Sequence, residues 1–166
     1  LGTIRLNEMV QAAANPPSGG KPQVKVGERI FRTGDRVIHR RNNYDLGVFN
    51  GDIGVVCDIN PNENTLVVNY DGRLVDYDVI DLDELSLAYT ISVHKSQGSE
   101  YSAVVIALTT AHYPLLQRNL LYTAMTRGRQ LVIIVGSTRA LEIAMNNDKP
   151  QHRLTGLKTK LSASDL

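Results

Sequence analysis

Between Ala88 and Tyr101 the chain crowds side chains that donate hydrogen bonds to oxygen. Thr90, Ser92, His94, Lys95, Ser96 and Gln97 form a short polar stretch that follows the apolar, β-compatible residues 88–91. Such a cluster of neutral and cationic donors suits phosphate oxygens. Strand-to-helix junctions at a sheet edge are also where α/β proteins carry binding groups. The same residues fit an N-capped surface helix with no ligand equally well. A second stretch, residues 119–129, is an apolar helix pattern whose C-terminal end carries Thr123, Thr126 and Arg127. Arg127 there favours the helix dipole. It can also serve as an arginine finger, neutralising charge that develops on a transferring phosphoryl group. The residues alone leave both pairs of alternatives open.

Two other patterns imitate nucleotide chemistry without supplying it. Ser18-Gly19-Gly20-Lys21 resembles the end of a phosphate-binding P-loop, but Asn15 stands where the first glycine is needed and Pro22 where Ser or Thr should follow the lysine. Asp83-Glu84 follows the apolar pair Val79-Ile80, as an acidic pair holding Mg²⁺ does in NTPases, yet Asp81 interrupts the apolar run.

The elements that must position these groups change texture along the chain. Residues 3–13 read as a helix with Ile4, Leu6, Met9, Val10 and Ala13 near one face, ended by Asn15-Pro16-Pro17. Short β-prone runs follow at residues 36–39, 53–59, 65–70 and 74–80. Asn50-Gly51, Asn60-Pro61-Asn62 and the hairpin signal Asp71-Gly72 punctuate them. Strands this short at this spacing suggest a small barrel. Residues 87–91, 103–108 and 131–135 then read as buried strands, and 115–125 and 138–145 as helices, an alternation that predicts a parallel α/β sheet. Leu116, Leu120 and Ala124 share one face of the first of these helices.

A net charge of +1 gives no whole-chain signature of nucleic-acid binding, so any basic site must be local. Residues 32–41 hold four arginines, whereas residues 71–84 are almost wholly acidic in their charge, a polarity that fits solvated strand faces as well as a binding surface. Aromatic residues make up 5% and Trp is absent, which argues against a free-standing single-strand binder built on base stacking. Cys57 lies in an apolar run and is expected to be a buried structural thiol. No apolar run approaches the length of a membrane helix, and no signal peptide is visible. With Leu rather than Met first, the chain is expected to be a piece of a longer protein.

Taken together, Val93-His94-Lys95-Ser96-Gln97-Gly98-Ser99-Glu100-Tyr101 and the stretch from Leu120 through Thr126-Arg127-Gly128-Arg129 to Gly136 resemble motifs V and VI of superfamily 1 helicases. The Ser96-Gln97-Gly98-Ser99-Glu100 form, preceded by Phe49-Asn50-Gly51-Asp52-Ile53-Gly54, is similar to the RecD-like branch. Gly27-Glu28-Arg29, Gly34-Asp35-Arg36-Val37 and Arg41-Asn42-Asn43-Tyr44 look like the start of that branch's inserted SH3-like barrel. Gly2-Thr3, Leu6-Asn7 and Asn15-Pro16 are similar to the segment just upstream, and Arg153-Leu154-Thr155-Gly156-Leu157 resembles the family's chain end.

The resemblance implies an α/β fold: part of a second RecA-like motor domain with a parallel sheet, interrupted by a small SH3-like β-barrel. Its expected divisions are 1–26 (helix and loop of the motor domain), 27–85 (barrel), 86–147 (motifs V and VI) and 148–166 (a C-terminal tail bearing Lys149, Arg153, Lys158 and Lys160). It implies ATP with Mg²⁺ in a cleft whose other wall, an N-terminal RecA-like domain of the same chain, carries the P-loop and acidic pair. Arg127 would be the arginine finger, with Gly98 and Glu100 near the nucleotide and Glu100 a sugar contact. Thr90, His94 and Ser96 would face single-stranded DNA, joined by Arg41 and Asn42 of the barrel. Arg36, Arg40 and Asn43 are further phosphate candidates there; Lys95 and Gln97 stay open between DNA contact and helix surface, and Arg129 is expected to face solvent. The implied activity is ATP-dependent 5′-to-3′ DNA unwinding in cytoplasmic repair or recombination, alone or beside nuclease and helicase subunits, and the piece itself is expected to be inactive. A non-catalytic nucleic-acid or partner-binding module, or a RecD-like domain of a relaxase or an RNA motor, is the rival interpretation.

Overall fold

The computed structural model describes residues 2–148, and the basic tail and the Arg153–Leu157 segment lie outside the described residues. The chain divides between Ser96 and Gln97 into two compact units. None of the described helices is long and apolar enough to cross a membrane.

The first unit opens with helix α1 (Thr3–Ala14). It does not bury the apolar face expected of it: Ile4 is 77% and Met9 50% exposed, while Asn7, Gln11 and Asn15 are buried. These amides recur every fourth residue and so share a face, and their side-chain hydrogen bonds outweigh the weak apolar pattern. A hairpin that the turn signals did not reveal follows, β1 (Gln23–Val26) against β2 (Arg29–Arg32), reversed at Gly27 with φ +60°.

Four further runs give β3 (Arg36–His39), β4 (Ile53–Asn60), β5 (Thr65–Tyr70) and β6 (Arg73–Tyr77). With β7 (Leu85–Leu87) they form an antiparallel five-stranded sheet in the order β6-β5-β4-β3-β7. Asp71 and Gly72 take φ of +50° and +97° between β5 and β6, the backbone that a two-residue hairpin matched to strand twist requires. Inward residues alternate along β5, and Leu66, Val68 and Tyr70 join Phe31, Val37, Val56, Tyr77 and Leu85 in one core. Gly54 lets β4 and β5 approach: a Cβ there would lie 2.4 Å from Val68 Cγ1 and 2.8 Å from the Asn69 carbonyl.

Three expectations are corrected here. Strand β6 ends at Tyr77, leaving Ile80 86% exposed. Cys57 is exposed, because Val56 takes the inward position and the β4–β5 register shifts between Val56 and Asp58. Residues 87–91 are not a strand of a parallel sheet: Leu87 ends β7, an antiparallel partner of β3. Thr90, further on, has both backbone polar groups taken by the side chain of Asn7.

In the second unit β8 (Tyr101–Leu108) and β9 (Gly128–Gly136) pair in parallel, as the strand–helix alternation predicts, in a register that sets Tyr101 beside Gly128. Between them lie a kinked 3₁₀ segment (Thr110–Leu115) and helix α2 (Arg118–Met125). Helix α3 (Thr138–Asn146) follows, its N-terminus capped by Ser137, whose Oγ accepts from Ala140 N–H at 3.2 Å. Leu116, Leu121, Ala140 and Ala144 make the core of this unit. The two strands are not buried as expected: Val105 is 65%, Leu131 50% and Val135 55% exposed. Two strands and two short helices lack the material to cover both faces of a parallel sheet.

Candidate functional site

Arg127 follows directly on the last turn of α2, whose C-cap is Thr126. Its half-buried guanidinium donates to three oxygens: Thr123 O at 3.2 Å, Ser99 O at 3.1 Å and Thr126 Oγ1 at 3.2 Å. The bond to Thr123 is what a cation at a helix C-terminus makes. The bond to Ser99 is different, since it ties the end of α2 to the polar stretch ahead of β8. The backbone repeats the tie, with Tyr101 N–H donating to Arg127 O at 2.8 Å. Because β8 and β9 run parallel, both loops emerge at the same edge of the strand pair. This is the edge where the strands begin, not the carboxyl ends where α/β sheets usually bind ligands.

Around that edge Gly98 has φ +83° and nothing within 4 Å of where a Cβ would stand, leaving open space over its backbone. Glu100 is about half exposed and pairs with Arg129, Nε to Oε2, at 2.7 Å. Arg129 is solvent-facing as expected, yet it also holds the carboxylate singled out as a sugar contact. In the parallel register Tyr101 lies beside Gly128, so Glu100 and Arg129 sit diagonally across that pair and the long arginine side chain spans the offset, a signal that only the register supplies. Among the described residues no three His, Cys, Asp or Glu side chains gather as metal ligands. The carboxylates of this edge therefore do not fit a Mg²⁺ site of their own.

In the first unit Thr90 is clamped by Asn7, which accepts from its N–H at 2.9 Å and donates to its carbonyl at 2.8 Å. Its hydroxyl makes a longer bond, 3.3 Å, to Thr3 O. A single 3₁₀ turn, Val93–Ser96, stands where the residues also fitted an N-capped surface helix. His94 and Lys95 project from it, exposed. Ser96 is buried, and its hydroxyl donates to Val93 O at 2.7 Å, so it braces the turn.

Arg41 and Asn42 stand apart from that turn in sequence, on the loop after β3. Glu84 anchors this loop, meeting Arg41 Nε at 3.5 Å and accepting from Asn43 Nδ2 at 3.0 Å. Asn42 is exposed, and its Oδ1 accepts from Asn50 N–H at 3.0 Å. Arg40 and Arg36 are exposed. Beneath the loop His39 is fully buried, with Nδ1 3.1 Å from Tyr77 OH and Nε2 3.2 Å from Glu84 Oε2, out of hydrogen-bond alignment. Tyr77 OH continues to Tyr70 OH at 2.7 Å. Burial pushes the His39 imidazole pKa down, with Glu84 pulling it back. Burial pushes the Tyr70 phenol up to about 12 and raises Tyr77 further.

The comparisons with known proteins bear on both units. Residues 6–70 match the family model described as the SH3 domain of ATP-dependent RecD-like DNA helicases. Residues 87–135 match that of the UvrD-like helicase C-terminal domain. The ATP-dependent RecD2 DNA helicase of Deinococcus radiodurans is 38% identical over 163 residues, covering 98% of this chain and 22% of that protein. The RecBCD enzyme subunit RecD of Mycobacterium tuberculosis is 29% identical over 98% of this chain and 27% of its own length. The chain thus spans about a quarter of these curated relatives. Among solved structures, the Pif1 helicase from Bacteroides in complex with ADP-AlF3 and single-stranded DNA is similar in fold. Its TM-score is 0.61 at 20% identity, over 97% of this chain and 43% of that one.

Proposed function

This chain belongs to the RecD-like DNA helicases, and on that premise we propose that it supplies one wall of an ATP-driven, 5′-to-3′ DNA-unwinding motor. The observation that carries the proposal is the Arg127–Ser99 bond, which joins the helix-end arginine to the loop of Gly98 and Glu100 at one edge of β8–β9. Arg127 acts there as the arginine finger on the γ-phosphate of ATP held by a P-loop elsewhere in the full protein. Gly98 leaves room for the nucleotide, and Glu100, steadied by Arg129, contacts its sugar. Thr90 and His94, with Ser96 bracing their turn, face the backbone of single-stranded DNA, and Arg41 and Asn42 of the insert at residues 27–85 extend that contact. The stretch from His94 to Glu100 is continuous, so the grip on DNA and the nucleotide contact share one short segment of backbone. Acidic residues of the other wall would hold Mg²⁺, which would offset the negative charge of the phosphates. The motor acts in the cytoplasm, and the RecBCD subunit name of one relative makes nuclease and helicase subunits candidate partners.

The chain has no P-loop anywhere in its sequence, so residues 1–166 alone cannot cradle the nucleotide phosphates. Steady-state ATPase assays on the purified chain, with and without single-stranded DNA, are expected to read background, and those on the full-length protein to show DNA-stimulated turnover. A full-length protein whose turnover ignores DNA, or a chain that hydrolyses ATP alone, contradicts the proposal.

A further inference from the structure

Helix α1 docks through a stripe of amides, and the stripe serves two targets. Gln11 Nε2 and Asn15 Nδ2 donate to the two carboxylate oxygens of Asp35, at 2.5 and 2.6 Å. Asp35 is fully buried. Its remaining donors are the Arg32 backbone N–H at 2.8 Å and the Tyr89 hydroxyl at 2.8 Å, and it makes no ion pair among the described residues. The third amide, Asn7, takes both backbone polar groups of Thr90. The consecutive residues Tyr89 and Thr90 are therefore held from two sides, one by its ring hydroxyl and the next by its main chain. From there Ser92 O accepts from Lys95 and Ser96 N–H to start the turn that carries His94.

A buried carboxylate is a costly way to stabilise a fold, because apolar replacements of buried charges are often neutral or better. What it supplies is a single geometry, since a displaced donor leaves a buried charge unsatisfied. Burial, and next the bond to Asp35, push the Tyr89 phenol up to about 12, so the hydroxyl stays a donor at working pH.

We propose that Asp35 is a positioning residue for the DNA contact, fixing through Tyr89, together with the Asn7 clamp, the backbone course from which Thr90 and His94 meet the DNA. The proposal rests on the assignment of Thr90 and His94 to DNA given above. It makes the start of the inserted sheet part of the grip: Asp35 immediately precedes β3, and the same carboxylate reaches both α1 and Tyr89.

The test uses the full-length protein and its DNA-stimulated ATPase. Tyr89→Phe removes one hydroxyl and keeps the ring. Asp35→Asn turns an acceptor into an amide facing the NH₂ groups of Gln11 and Asn15. The half-saturating oligonucleotide concentration is expected to rise about tenfold in Tyr89→Phe, the scale of a lost hydrogen bond to a charged group, and further in Asp35→Asn. Turnover at saturating DNA and basal turnover should stay near the parent's. Should Asp35→Asn fail to fold, Tyr89→Phe still decides the matter. A lowered melting temperature with unchanged half-saturation in Tyr89→Phe makes Asp35 only a structural hub and overturns the proposal. A Thr90→Ala/His94→Ala variant separates the two claims. If it leaves half-saturation unchanged, the DNA assignment fails and this proposal with it; if it raises half-saturation while Tyr89→Phe does not, the role of Asp35 alone is refuted.

Discussion

Lys95 and His94 stand exposed on one 3₁₀ turn, with Ser96 buried beside them, and each should leave a different mark on DNA binding. An ammonium that neutralises one phosphate contributes roughly 0.7 to the slope of log affinity against log salt on a single strand. Over a fourfold rise in salt that slope amounts to about 2.6-fold in affinity. If Lys95 meets a phosphate, the full-length Lys95→Gln protein loses affinity at low salt and weakens by about that factor less as salt rises. A hydrogen bond from an uncharged donor releases no counterion. His94→Ala should therefore lower affinity by about 2–10-fold, the range of one net hydrogen bond, with the slope unchanged. Ser96→Ala removes the bond to Val93 O. Its cost should fall on thermal stability and leave affinity near the parent's. The assay is fluorescence anisotropy with labelled oligonucleotides of two unrelated sequences at several salt concentrations, where all changes should be sequence-independent because backbone contacts carry no base information. Unchanged affinity and slope in both Lys95→Gln and His94→Ala would refute the placement of this turn on DNA. A Ser96→Ala affinity loss as large as that of His94→Ala would refute the division of labour within it.

Two further outcomes test the five-stranded sheet. Gly54→Ala places a Cβ against the immobile Asn69 carbonyl as well as Val68 Cγ1, so overpacking of about 2–3 kcal/mol is expected, read as a lower urea midpoint; an unchanged midpoint would mean that β4 and β5 are not so close. Burial lowers the His39 pKa in the folded chain, so its contribution is fully present above the unfolded value near 6.5. That contribution is lost as pH falls from there toward the folded value, at up to about 1.4 kcal/mol per pH unit for one proton. Glu84, Asp52 and Asp81 oppose the shift and Arg41 assists it. Urea unfolding of His39→Gln should accordingly show a shallower loss of stability between pH 6.5 and 5 than the parent chain, and parallel curves would contradict the assignment.

Local signals sufficed for much of the fold and for the candidate residues. Alternation and the Asp71-Gly72 turn locate β5 with its bounds, and the apolar runs before and after Arg127 locate β8, α2 and β9 in order. What stayed illegible depends on partners distant in sequence. Periodicity ranks apolar residues, so it cannot register that Asn7, Gln11 and Asn15 dock α1 on Asp35 and Thr90. The continuation of a strand past Leu87 fails because a side chain from the start of the chain takes the ladder groups of Thr90. Cys57 faces outward because the β4–β5 register shifts where strict alternation would hold. The Glu100–Arg129 pair depends on the parallel register of β8 and β9, which no local pattern encodes.

The most direct test replaces Arg127 in the full-length protein and measures ATP turnover beside single-stranded DNA affinity. An arginine finger acts on charge developing in the transition state and is worth about 10³–10⁵ in rate. Arg127→Ala should lose turnover on that scale while its dissociation constant for an oligonucleotide stays near the parent's. Arg127→Lys should rescue poorly, since an ammonium cannot reproduce the planar fork that spans Thr123 O, Ser99 O and an incoming phosphate. Near-normal turnover in Arg127→Ala would make the residue a helix-end cation and contradict its assignment to the nucleotide.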